Sequence, residues 1–195
     1  MRFPLDLRFK TIAVAPQISV FDAAGDLQLY VKQQAFRLKE SVTVFRDAAQ
    51  THPVYRIAAD RVLDISANYR IGDEDGSPLG TLRRRGMRSL WRAHYEVHRH
   101  GGALLTIREE NPWVKVLDGL LGEIPIVGFF TGYMLHPAYR VSRAGAEAPL
   151  LRAVKQPAFF EGRYTIEQAT ALDASEQMLA VLSVLMMLLL ERRRG

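Results

Sequence analysis

The densest concentration of chemistry-bearing side chains lies between Leu82 and His100, LRRRGMRSLWRAHYEVHRH. Arg83, Arg84, Arg85, Arg88, Arg92 and Arg99 fall in this run, and Glu96 is its only acid. A guanidinium is planar, permanently charged and forked, which suits it to phosphate oxygens. The run therefore marks Arg83, Arg84, Arg85, Arg88 and Arg92 as the candidate anion-binding residues, for a lipid headgroup ahead of nucleic acid. Trp91 and Tyr95 could sit at a membrane interface or stack on bases. The competing assignment is a solvated strand face with the aromatics in the core. Parity limits the first reading: on a strand Arg84 faces opposite to Arg83 and Arg85, so the three make no flat patch unless the strand ends there.

Other constellations point away from catalysis. His94, His98 and His100 share one strand parity, but i, i+4, i+6 covers about 20 Å at roughly 3.3 Å per residue, too far for one metal. His52 and His136 each precede proline and read as turn residues. Asp73, Glu74 and Asp75 before Gly76 suggest a calcium loop, yet Arg84 stands where the twelfth-position glutamate is required. No phosphate-cradling loop, dinucleotide fingerprint or nucleophile elbow occurs. The 195 residues contain no cysteine, which excludes disulfides, thiolate zinc sites, iron–sulfur clusters and a cysteine nucleophile. No cofactor or metal is implied, and the expectation is a non-enzyme. With 48% hydrophobic residues and a formal charge of +5, the chain reads as one globular domain over 1–195, in the cytoplasm and peripheral to membranes at most. The N-terminal MRFPLDLRFK lacks the apolar core of a secretory signal.

The elements that must position these residues read as short strands from residue 17 to about 167. Leu27, Leu29 and Val31 alternate with polar neighbours after a turn at 22–26. Further units follow at 36–38, 42–45, 54–58, 64–72, 79–82, 91–97, 104–108, 139–141, 150–154 and 159–166, separated by glycine- or proline-marked turns. A weak repeat of aromatic-x-aliphatic, turn, then alternating aliphatics recurs at Tyr69-Arg70-Ile71, Tyr95-Glu96-Val97 and Tyr139-Arg140-Val141. Any meander of half-buried hairpins can produce such a pattern.

The C-terminus is different. Asp173 with Glu176 forms a capping pair, and a helix is expected over 174–192. From Met178 to Leu190 its only polar residue is Ser183. A helix apolar on every side must be surrounded. Thirteen residues span about 20 Å, short of a hydrocarbon core of roughly 30 Å. The strands should therefore wrap the helix, giving a mainly β, closed antiparallel barrel around a central hydrophobic C-terminal helix. A short helical, apolar insertion near 113–135 stands apart, with Asp118 and Glu123 inside it arguing against a membrane span.

These features together resemble the LURP-one-related family of the tubby C-terminal-like superfamily. Asp22, Gly25, Tyr30, Val31 and Lys32 fit that family's opening pattern, as do Phe36 and Leu38 beyond it. The hairpins with Tyr69-Arg70-Ile71 and Gly76 fit the next part, and LDASEQMLAVLSVLMMLLL fits its buried C-terminal helix. The insertion at 114–135 is longer and more apolar than that pattern. The resemblance implies about twelve strands around the helix, as in tubby and the phospholipid scramblases. It supplies no catalytic motif and no headgroup-binding residues. The expected role is a peripheral binding module for anionic phospholipid or another phosphate-bearing partner. The alternatives are a scaffold or self-associating module, using the surroundings of Phe129-Phe130 in the insertion, and third an enzyme with a site in the barrel cavity.

Overall fold

The computed structural model describes residues 1–10, 17–32, 41–60, 68–85, 93–110, 137–157 and 162–192. Strand formation follows apolar alternation in most strands, with consecutive buried residues at Leu29–Val31 and Leu105–Ile107. β1 (Leu5–Lys10) points Leu5, Leu7 and Phe9 inward and Asp6, Arg8 and Lys10 outward. It is followed by β2 (Gln17–Phe21), β3 (Leu27–Lys32), β4 (Ser41–Phe45), β5 (Pro53–Ala59), β6 (Asn68–Asp73), β7 (Pro78–Arg84), β8 (His94–Arg99), β9 (Gly102–Glu109), β10 (Ala138–Arg143), β11 (Pro149–Gln156) and β12 (Gly162–Gln168). Each strand pairs antiparallel with the next, and β12 pairs with β1, so twelve strands close into a barrel. Sequence reasoning placed the first strand at residue 17; β1 is the strand that closes the ring. On the outer wall Arg163 of β12 holds Asp6 of β1 through two bonds of 2.7 and 2.9 Å.

The single described helix, α1 (Ala174–Arg192), runs through the interior. It starts where expected: the Asp173 carboxylate accepts from the Glu176 backbone N–H at 2.9 Å, satisfying one of the donors a helix start leaves open. Arg143 grips the buried Glu176 carboxylate through both terminal guanidinium nitrogens, the second bond being 2.9 Å. That places an acid near the positive helix end, where it is stabilising. From Leu179 to Leu189 every residue is buried. By length and composition α1 could cross a membrane, yet 67% of its most apolar window is covered by the barrel. One face of contact is especially close. A Cβ at Gly80 of β7 would come within 2.7 Å of the His98 carbonyl oxygen and 2.9 Å of the Leu179 methyls, so glycine is what lets this wall approach the helix.

The barrel has two unlike rims. The turns at 22–26, 46–52, 74–77, 100–101 and 144–148 cluster at the rim where α1 begins. Gly25, Gly76, Gly101 and Gly145 supply the positive φ in four of these turns, and Gln50, at φ 62°, does so in the turn at 46–52. The other connections leave from the opposite rim, where α1 ends. The insertion at 113–135 and the strand expected at 36–38 lie outside the described residues.

Enclosure of α1 makes a direct prediction. Leu185 is fully buried, so Leu185→Asp places an unpaired charge in the core, at a cost of several kcal/mol against a total stability of about 5–15 kcal/mol. The variant should lose the cooperative thermal transition in circular dichroism. A soluble Leu185→Asp protein with an intact transition would mean α1 is not enclosed.

Candidate functional site

With the interior filled, the chemistry sits at the helix's far end and on the outer wall. At the far end, β6, β8, β10 and β12 each present a tyrosine inward near the start of the strand: Tyr69, Tyr95, Tyr139 and Tyr164. The Tyr95 hydroxyl donates to Glu191 Oε1 at 2.6 Å. Arg84 reaches the same carboxylate at 3.7 Å and lies 5.8 Å above the Tyr95 ring. Burial, reinforced by Glu191, pushes the Tyr95 phenol far above its ordinary range, and burial does the same to Tyr139. Tyr164 is pushed up to about 12, also chiefly by burial. These phenols stay protonated, as donors. Beside them Arg192 stacks over Phe9 at 5.2 Å, and Phe9 meets Tyr164 edge to face. The arrangement seats the polar last turn of α1 in a tyrosine-lined mouth. It is a structural plug, and Arg84 belongs to it.

The expected arginine group is thereby divided. Arg84 is buried and faces in, whereas Arg83 and Arg85 face out, as parity requires. Arg85 pairs with Glu96 at 3.0 Å, and Glu96 also lies 3.4 Å from His98 Nε2. Arg88, Trp91 and Arg92 lie outside the described residues. His94, His98 and His100 do not gather: β8 ends at Arg99, a bulge falls at Val97/His98, and His100 turns with φ 51°. No group of three possible ligands that could hold a metal occurs among the described residues.

The register builds a different site on the outer wall. The Arg85 amide donates to the His94 carbonyl across β7 and β8. His94 stands opposite Arg108, Arg108 opposite Arg140, and Arg140 opposite Arg152. Five adjacent strands thus align Arg85, His94, Arg108, Arg140 and Arg152 in one row, about 19 Å long at roughly 4.8 Å per strand. Glu167 of β12 stands opposite Arg152 and ends the row. Arg152 is also held by Glu110 at 2.8 and 3.0 Å. Acids therefore neutralise the two ends. Among the described residues no carboxylate pairs with Arg108 or Arg140 at the centre. Like charges directly opposite on neighbouring strands destabilise a sheet, so this row works against stability. His94 registers the field: burial, then Arg108 and Arg85, hold its pKa below the ordinary 6.5.

Three of the five row residues, Arg108, Arg140 and Arg152, were missed as site residues from sequence. They are far apart in the chain, and only the hairpin registers unite them. The aromatic-x-aliphatic repeat held part of the signal: its tyrosines all face the helix, so its middle residue, Arg140 in the third copy, faces out.

No curated protein matches the chain. An X-ray structure of a protein from Arabidopsis thaliana is similar in outline, with a TM-score of 0.49 and 14% sequence identity, over 94% of this chain and 90% of that one. The family model described as LURP-one-related matches residues 27–124, just over half of the chain. That span takes in β3 to β9, including the β7–β9 part of the arginine row, and the chain belongs to the LURP-one-related family.

Proposed function

We propose that this protein is a non-enzymatic, peripheral binding module that docks anionic phospholipid on the outer wall of β7 to β11. The observation that carries the reading is the cross-strand row with Arg108 and Arg140 at its centre. A sheet that sets arginines side by side without acids between them gives up stability, and a phosphate-bearing surface would return it. A line of guanidinium groups suits a plane of headgroup phosphates better than a single compact ligand. Chain connectivity adds support, since the segment between Glu110 and Pro137 leaves β9 just after Arg108 and enters β10 just before Arg140. Its sequence from Val114 to Leu135 is mostly apolar, and a chain that follows cationic strands with an apolar stretch has the composition an anionic bilayer surface attracts. Arg83, on the same wall, extends the basic region along β7, and Arg88 and Arg92 follow it in sequence.

Vesicle co-sedimentation tests this. With phosphatidylcholine vesicles containing 30 mol% phosphatidylserine, the protein should pellet at low salt and be released as salt screens the contact. Each basic residue near such a surface contributes about 1 kcal/mol. The Arg108→Gln/Arg140→Gln double variant should therefore bind about 30-fold more weakly, while Arg56→Gln on β5 stays within a few-fold of the parent. Failure to pellet at low salt, or equal loss in both variants, rules the reading out.

His94 gives a second, local readout. An anion on the row offsets the field of Arg108 and Arg85, so the depressed His94 pKa should climb toward 6.5 when monomeric short-chain phosphatidylserine is added in an NMR titration. An unchanged His94 pKa in protein saturated with lipid would place the binding surface elsewhere.

A further inference from the structure

Among the described residues, the barrel wall is most thinly paired at one seam. The described residues of β3 and β4 share a single register pair, Tyr30 with Phe45, where every other neighbouring pair of strands shares four or more. The first half of β3 runs past the end of β4, and a cleft of about 340 Å³ opens there, at the rim where α1 begins. The cleft borders the start of the helix, because the part-exposed Met178 of α1 forms part of its lining. Met1, Leu27, Leu29 and Val54 line it as well, and Gln28, Arg46 and Tyr55 bring polar side chains to it, the Gln28 amide being already engaged with Asp22. Arg46 is exposed, directly after β4, and its guanidinium acts electrostatically on the Tyr55 phenol.

Apolar walls with a few convergent polar groups characterise a small-molecule site, and this volume is at the lower end of the usual range. A water-sized group occupies roughly 30 Å³, so the cleft takes about ten such groups in addition to solvent at its mouth. Methionine adapts its shape to a chain packed against it. A guanidinium fork matches a carboxylate. We infer that the β3–β4 seam is a binding site for a medium-chain carboxylate, its alkyl chain against Leu27, Leu29, Val54 and Met178 and its carboxylate on Arg46 with the Tyr55 hydroxyl as a second donor. The site is at the opposite rim from the α1 terminus plugged by Glu191 and is separate from the arginine row, so it stands or falls independently of membrane docking.

Titration calorimetry of the full chain with decanoate tests the site, with decylammonium as the matched cation. Decanoate should bind saturably at one site, decylammonium at least ten-fold more weakly, and Arg46→Gln should weaken decanoate at least ten-fold. Arg46 is exposed, so that variant keeps the fold. Leu27→Trp fills the cleft and should abolish binding. Should Leu27→Trp fail to fold, methyl NMR of methionine-labelled parent protein decides instead: the Met178 signal should move in proportion to occupancy. No saturable binding, equal affinity for decylammonium, undiminished binding by Arg46→Gln, or an unmoved Met178 signal at saturation would each overturn the assignment.

Discussion

A helix with no polar face controls this structure. Between Leu179 and Leu189 α1 offers only apolar side chains and one serine, and such a segment is stable in water only when covered on all sides. A sheet on one flank would leave half of it wet. A closed ring of twelve strands covers all of it, and closure fixes much else. It requires β1 between β2 and β12. It favours alternation, because each strand has one face on the helix and one on solvent. Among the described residues, pairing is thinnest between β3 and β4.

The same constraint assigns places to the polar groups. A filled interior has no room for the ligand cavity of an open barrel. Charge that comes inward must be satisfied locally, and the two helix ends do so differently. Arg143 and the Asp173 cap hold the first turn, whereas Tyr95 and Arg84 hold Glu191 in the last. The remaining basic residues are forced onto the wall. There, register sets Arg108 and Arg140 beside each other with Arg152 and His94 flanking them. The row is therefore a product of where β9, β10 and β11 align, and its cost in stability marks it out from an ordinary solvated face.

Local signals in the chain were readable and long-range ones were not. The helix limits, its aspartate cap and its burial follow from residues within one or two turns of each other. Most strands follow from alternation and glycine turns. β1 carries an equally plain pattern, Leu5-Asp6-Leu7-Arg8-Phe9-Lys10, but excluding a secretory signal there does not by itself identify a strand. Parity separated Arg84 from Arg83 and Arg85 before any coordinates, since it depends on neighbours alone. The row of Arg85, His94, Arg108, Arg140 and Arg152 depends on four registers and on bulges such as those at Val97/His98 and Val141/Ser142, which no local pattern specifies. The β3–β4 cleft is equally a property of how far two strands overlap.

Amide hydrogen exchange bears most directly on the enclosed helix as the organising element. If the barrel must open completely to expose α1, the amides from Leu182 to Leu189 exchange only through global unfolding, with the same free energy and denaturant dependence as the central amides of β1 and β12. Exchange of those helix amides at a distinctly lower free energy, while β1 and β12 remain protected, would contradict the account, because the helix could then leave a barrel that stands without it.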